Sequence, residues 1–313
     1  MSARTSVTVR VPATTANLGP GYDCLGLALG LHNEMTLSVI GDEADARAEG
    51  GAEPPCVHIE GEGCDCLARD SSHLVLCAAR AAANLASRSA PLLGLRQVNR
   101  IPLARGLGSS SAAIVGGIFA ANKLLGLELS SRQMLDLATE VEGHPDNVAP
   151  ALLGGLTVCC SVGNEVLVRR LEVAPGLACV AAVPDFEVAT REARRALPET
   201  VPHADAVFNL CRVGLSVAAL VSGEFALLGE AMRDRLHQPY RARLVPGMDD
   251  AIAAALEAGA HGACLSGSGP TIAAFVSGGG EEVGAAMVKA FARAGVRAET
   301  HPLALCAEGA QVV

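Results

Sequence analysis

Aromatic residues are scarce in this chain: it has no tryptophan, two tyrosines and six phenylalanines among 313 residues. Half of the residues are hydrophobic, with Ala, Gly, Leu and Val dominant. The chain is long enough for a large core, which must be packed from small aliphatic side chains. Basic residues are few as well, 24 Lys and Arg against 33 Asp and Glu, a formal net charge of −9. They are spread without a block, so the basic face that a nucleic-acid partner requires is missing. An anionic small substrate stays open, because two or three convergent arginines would serve it.

The N-terminal MSARTSVTVRVPATTANLG has no apolar segment of signal-peptide type. Glycines and small polar residues interrupt the apolar windows, so no membrane span or membrane partner is expected, and the expected location is cytoplasmic. Eleven cysteines at loose spacing make a poor disulfide framework. Cys56, His58, Cys64 and Cys66 are the local cluster closest to a metal site, but their spacing matches no zinc pattern, and a loop or strand edge with reduced thiols is expected.

Two nucleotide motifs are also missing. No lysine follows the glycines of RGLGSSSAA (105–113), so the Walker A pattern fails, and no GxGxxG follows the first strand. The elements that are present alternate irregularly. Strands are expected in SVTVRVPAT, at 28–41, at 57–61 and at 95–103, with an exposed turn over 42–55. Helices are expected within 71–89, after the glycine–serine stretch, at 130–143 between a serine cap and a glycine, and from about Asp146 to the next glycines. TVCCSV and EVLVRRLEV read as a hairpin. The second half adds a strand at CVAAVPDFEV, a helix capped by Thr190, helices near 204–221 and 223–235, and a final alternation of helices and strands with a glycine turn at GACLSGSGPT. Hairpins mixed with helices indicate an α+β fold, divided here into residues 1–160 and 161–313.

RGLGSSSAA carries the chemistry. A helix opens with unpaired N–H groups and the positive end of its dipole. Gly106 and Gly108 admit backbone angles other residues resist, and Ser109, Ser110 and Ser111 add amides and hydroxyls. The stretch is therefore a candidate phosphate cradle, or simply a turn and a cap. LSGSGPT (265–271) is a candidate second nest for an anion. EGHPDN (142–147) gathers two carboxylates, an imidazole and an amide, and Glu142 is a candidate Mg²⁺ ligand; an ordinary loop is the alternative.

PATTANLGPGYDCLGLAL, PLARGLGSSSAA, EGHPDNVAPALLGG, LHQPYR and GACLSGSGPT, in that order, resemble the GHMP small-molecule kinases across nearly the whole chain. Within that superfamily the motifs are most similar to those of the homoserine kinase family. The resemblance implies an N-terminal domain like the second domain of ribosomal protein S5, a ferredoxin-like C-terminal domain and an active site between them. It implies transfer of the γ-phosphoryl of ATP, with Mg²⁺, to the side-chain hydroxyl of L-homoserine, on the way to threonine. The family also allows a homodimer, which nothing in the sequence demands.

Carried over by position, the resemblance puts Arg105, Gly106, Leu107, Gly108, Ser109, Ser110 and Ser111 around the ATP phosphates. It makes Ser110 and Glu142 metal ligands, with Glu140 as the alternative register. Asn17 and Asp23 would line the homoserine pocket, Asp23 facing the substrate ammonium. Arg194, flanked by Arg191 and Arg195, and Arg241 would bind the carboxylate. Asn147, His144 and Thr190 would stand near the reacting hydroxyl. Asn147 is an amide where mevalonate kinase and galactokinase are thought to use a basic aspartate, so the resemblance implies catalysis by positioning and charge stabilisation. His73 stands where an adenine-pocket asparagine is common. The rival readings are a related kinase for another hydroxy or amino acid, and a non-catalytic ligand-binding regulator.

Overall fold

A computed structural model describes residues 5–41 and 56–313; the turn expected over 42–55 lies outside the described residues. The chain begins with two long antiparallel strands, β1 (Ser6–Ala16) and β2 (Leu25–Gly41). Val7, Val9 and Val11 alternate inward along β1, as its period-two pattern requires, and from Val11 onward every residue of the strand is buried. β3 (Val57–Gly61), α1 (Leu74–Leu85) and β4 (Leu92–Asn99) follow, with β3 parallel to β4. Then come α2 (Ser109–Leu125), α3 (Ser131–Glu142) and α4 (Pro145–Leu153), and the antiparallel hairpin of β5 (Leu156–Val162) and β6 (Glu165–Leu171).

The second half contains β7 (Ala178–Pro184), α5 (Thr190–Arg195), α6 (His203–Ser222), α7 (Leu228–Ala231), α8 (Gln238–Arg241), α9 (Met248–Glu257), β8 (Gly262–Leu265), β9 (Ile272–Val276), α10 (Glu281–Arg293) and β10 (Ala298–Ala304). β11 (Gln311–Val312) closes the chain. The larger sheet runs β11-β1-β2-β4-β3, with β5 paired to the start of β2 and β6 to β5. The smaller sheet runs β10-β7-β9-β8 and is antiparallel throughout. This is the α+β arrangement expected.

Local signals explain most boundaries. Ser130 and Gln133 close a capping box at the start of α3, and Gly143 ends the helix in the left-handed conformation. Pro145 occupies the first position of α4, where its missing N–H costs nothing. α2 is buried around most of its circumference, wedged between the larger sheet and α1, and its small side chains make that approach close.

Several expectations are corrected. The 160/161 division falls inside the β5–β6 hairpin, both strands of which belong to the larger sheet, so the two sheets part between β6 and β7. Ala189, not Thr190, is the N-cap of α5, and Thr190 is the first helical residue. The single helix expected over 223–235 is broken into a 3₁₀ turn at Phe225–Leu227 and the one-turn α7. Beyond α7, Asp234 takes the backbone N–H groups of Leu236, His237 and Gln238 and turns the chain into α8. Among the described residues one helix, α6, is long and apolar enough to cross a membrane by length and composition. It contains Asp205 and Arg212, and its buried Asn209 and Ser216 bond the carbonyls of Pro20 and Ala231. All eleven cysteines are free.

Candidate active site

A cavity of about 360 Å³ lies where the two sheets meet. Its walls come from the turn after β1, the loop before α2, the junction of α3 and α4, α5, α8 and the turn between β8 and β9. That last turn is pinned to the first half of the chain. Gly267 N donates to the Ala16 carbonyl, Thr271 N to the Arg105 carbonyl, and the Ser266 hydroxyl lies 2.6 Å from the Gly106 carbonyl oxygen. Ser266 and Gly269 amides are bonded within the turn itself. LSGSGPT is therefore a clamp holding the two halves together, and not the second anion nest expected of it.

The loop before α2 is built for close approach. Gly106 and Gly108 have φ of 78° and 71°. A Cβ at Gly106 would lie 2.2 Å from the Ser266 carbonyl oxygen, and one at Gly108 2.0 Å from the Thr14 hydroxyl. Only glycine meets both demands. Gly108 caps α2 without a side-chain bond, so the first amides of the helix have no side-chain cap of the protein's own, and Ser109 and Ser110 line the cavity. Leu107 is fully buried and its carbonyl accepts from Thr14 N, which ties the loop to β1. Arg105 lines the cavity, but its guanidinium is engaged by protein groups. Its guanidinium bonds the carbonyls of Pro184, Leu103 and Asp185 and pairs with Glu187 at 3.3 Å.

Glu142 closes α3 directly over this loop. Its Oε1 accepts from the hydroxyls of Ser110 at 2.6 Å and Ser111 at 2.8 Å. Its Oε2 has no hydrogen-bond partner among the described residues. Glu140, the alternative register, is exposed and does not line the cavity. His144 Nδ1 lies 2.6 Å from Asp146 Oδ1, and its Nε2 3.9 Å from Glu142 Oε1. Burial opposes the charged imidazole, but the bond to Asp146 and the two carboxylate charges overcome it and raise the His144 pKa. Asn147 is nearly buried, and its Oδ1 accepts from Thr14 Oγ1 at 2.7 Å. That bond fixes the amide's orientation and leaves Nδ2 without a protein partner among the described residues.

At the other end of the cavity, Asp23 and Arg194 form a two-pronged pair at 2.9 and 2.8 Å, and Arg194 also donates to the Tyr22 hydroxyl at 2.8 Å. Asp23, Arg194 and Arg241 all line the cavity, whereas Arg191 and Arg195 do not. Arg241 is 2% exposed. It donates to the carbonyls of Ala193 and Gly267 and to His237 Nδ1. The Tyr22 ring lies 5.6 Å from the Arg194 guanidinium carbon and 5.2 Å from that of Arg241. Asn17, with φ of 70°, donates to the Gly267 carbonyl and accepts from Asp23 N, so it holds the turn that carries Asp23. The Thr190 hydroxyl is 3.5 Å from that of Ser268 at the cavity edge.

His73 is buried and caps α1, its Nδ1 accepting from Val75 N at 3.2 Å. Its Nε2 is buried without a partner among the described residues, and burial lowers its pKa. Four residues that shape the site went unread in the sequence: Thr14, Tyr22, Asp234 and His237. Tyr22 had a signal, being one of two tyrosines and adjacent to Asp23. Thr14 had none, since its partner is 133 residues away.

A bare-glycine loop at a helix N-terminus facing a carboxylate, in a cleft between a seven-stranded sheet and a smaller antiparallel sheet, fits a small-molecule kinase of the GHMP type. The GHMP kinases N terminal domain matches residues 72–155, and the GHMP kinases C terminal domain matches residues 216–293. The chain is 48% identical to the homoserine kinase of Moorella thermoacetica over 97% of its own length and 99% of that protein's. It is 44% identical to that of Desulfitobacterium hafniense, over 98% and 100%. The crystal structure of homoserine kinase from Cytophaga hutchinsonii superposes with a TM-score of 0.87 at 30% identity, covering 100% of this chain and 99% of that one. This chain belongs to the homoserine kinase family.

Proposed function

We propose that the cavity holds L-homoserine and ATP together and positions the substrate's side-chain hydroxyl against the γ-phosphoryl group. The family's activity is ATP-dependent phosphorylation of homoserine, which yields O-phospho-L-homoserine on the way to threonine. One observation carries the substrate reading. A paired carboxylate and guanidinium, Asp23 and Arg194, and a second guanidinium, Arg241, share one cavity with a phosphate loop. A zwitterionic amino acid complements that set, its ammonium facing Asp23 and its carboxylate the arginines.

The residues present also suit a hard cation. Ser110 and Glu142 bring a hydroxyl and a carboxylate oxygen together at 2.6 Å, and Glu142 Oε2 is unspent. Mg²⁺ takes oxygen ligands and, when bound beside ATP, neutralises charge developing on the phosphoryl oxygens. The chain's own part is positional. The Ser109–Ser111 amides and the α2 dipole face the phosphates. Asn147, oriented by Thr14, offers an N–H toward the reacting hydroxyl, and Thr190 and His144 complete the polar wall. An amide cannot accept the hydroxyl proton, so Asn147 orients and does not act as a base. Alignment and charge stabilisation carry the step, and the proton leaves late, directly to the phosphoryl group being transferred.

The deciding test is an ATP-consumption screen over L-homoserine, L-serine, L-threonine and mevalonate, with the product's mass recorded. Turnover with L-homoserine well above the other three is expected. Preference for mevalonate, which has no ammonium for Asp23, would overturn the substrate reading.

A further inference from the structure

His237 is fully buried, and its two ring nitrogens face different elements of the site. Nε2 lies 2.6 Å from the Gly19 carbonyl oxygen, in the turn that carries Asp23. A carbonyl oxygen only accepts, so Nε2 carries the proton. Nδ1 lies 3.3 Å from Arg241 Nη1, which only donates, so Nδ1 carries the lone pair. Both bonds are satisfied by the same neutral tautomer. Burial depresses the pKa of the ring in the same sense, against the pull of Asp234.

The surroundings hold the ring in that state. Asp234, itself buried, accepts from the amides of Leu236, His237 and Gln238 and from Asn209 Nδ2, so its charge is spread over four donors. Its Oδ2 is 3.7 Å from His237 Nε2, farther than the Gly19 oxygen. Tyr22 packs against the imidazole with ring centroids 5.5 Å apart.

The consequence falls on Arg241. Its three acceptors among the described residues are two carbonyls and an imidazole, none of them charged. Arg194, by contrast, is already paired with the carboxylate of Asp23. A buried guanidinium oriented by neutral acceptors alone keeps its charge for an incoming anion. The same imidazole ties Arg241 to the Asp23 turn through Gly19. It therefore sets the separation of the two groups that read the ends of an α-amino acid.

We propose that His237 is a positioning residue: as the Nε2–H tautomer it links the Gly19 carbonyl to Arg241, aiming the guanidinium at the substrate carboxylate without neutralising it. This rests on Arg241 being the group that meets that carboxylate.

Two substitutions separate the two bonds. In His237→Gln the amide N–H reaches the Nε2 position, so the Gly19 bond survives and the acceptor for Arg241 is lost. In His237→Asn the amide oxygen takes the Nδ1 position, and the Arg241 bond survives. KM and kcat are measured for ATP, L-homoserine and its decarboxylated analogue 3-aminopropan-1-ol. His237→Gln should raise KM for homoserine roughly tenfold, the value of one hydrogen bond to a charged group. Its KM for ATP and its kcat/KM for 3-aminopropan-1-ol should stay within about twofold, and His237→Asn should stay closer to wild type on homoserine. Equal losses on the two substrates, or equal damage from the two variants, would reduce His237 to a structural residue. Nitrogen NMR of the wild-type imidazole needs no variant: a protonated ring or the Nδ1–H tautomer at neutral pH would overturn the proposal. Arg241→Leu, assayed in parallel, tests the underlying reading. If it spares the discrimination between homoserine and the analogue, the assignment of Arg241 fails first.

Discussion

Asp23 and Arg194, 171 residues apart in sequence, face each other through both carboxylate oxygens and both terminal guanidinium nitrogens. The carboxylate expected to hold a substrate ammonium and the arginine expected to hold a substrate carboxylate are each other's partners. Both side chains are 35% exposed, so the pair is open to a ligand. A zwitterion brings one charge of each sign and can enter the pair without leaving either residue unmatched.

Asp23→Asn should therefore lower kcat/KM for homoserine by about 10- to 150-fold, the span of a charge-assisted hydrogen bond. The Kd for ATP should stay near wild type. Because the pair is well solvated, stability should fall by less than about 1 kcal/mol. Kinetics and a urea melt on the same preparation check both. A loss of several kcal/mol with unchanged kinetics would make the pair a fold element.

Glu142→Gln should reduce turnover by at least about 10- to 100-fold at limiting Mg²⁺, with partial recovery at high Mg²⁺. The amide keeps an oxygen for Ser110 and Ser111 but gives up the charge. A Mg²⁺ titration of the initial rate reads this, and an unshifted midpoint would remove Glu142 from the metal site.

What the sequence disclosed divides along chain distance. The serine cap at Ser130, the stop at Gly143, the start of α4 to within a residue and the alternation in β1 are local, and each was legible. The glycines before α2 were legible as a turn that side-chain-bearing residues resist, because their demand on φ is also local. Contacts made across the fold were not. Arg105 turns to carbonyls near residues 184 and 185, and the LSGSGPT turn gives the Gly267 and Thr271 amides to carbonyls of the other half of the chain. β11 has two residues, too few for any periodicity, and exists because β1 offers it an edge. The turn from α7 into α8 depends on Asp234 capturing the amides of residues 236–238.

His73 makes the pH dependence testable. Burial lowers its folded-state pKa below 6.5, so the unfolded chain binds the proton more tightly. Its contribution is present above the unfolded value and is lost as pH falls through 6.5 toward the folded value. Protonation also ends the cap, since Nδ1 can no longer accept from Val75 N. His73→Asn supplies a favoured cap and removes the buried unpartnered Nε2. The variant should equal or exceed wild type by up to about 1 kcal/mol at pH 7, and lose less stability between pH 7 and pH 5. Urea melts across that range decide it. An identical slope for the two proteins would show that His73 does not carry the acid sensitivity.

Arg241→Lys isolates geometry from charge. Arg241 is almost fully buried and spans the Ala193 and Gly267 carbonyls and His237 Nδ1 while lining the cavity. A lysine keeps the positive charge but offers three donors from one atom, with no planar fork. It cannot serve those acceptors and a substrate carboxylate at once. Each buried acceptor left unpaired costs about 1–3 kcal/mol, so the variant should melt at lower denaturant even though no charge is lost. Homoserine KM should rise roughly tenfold or more, with the Kd for ATP nearly unchanged, because the phosphate loop belongs to other elements. With 3-aminopropan-1-ol, which has no carboxylate to lose, the same substitution should have little effect. The two substrates and two proteins form a cycle whose coupling reads the carboxylate contact directly. A coupling near zero alongside a full loss of stability would show that Arg241 serves the packing of α8 and not the substrate.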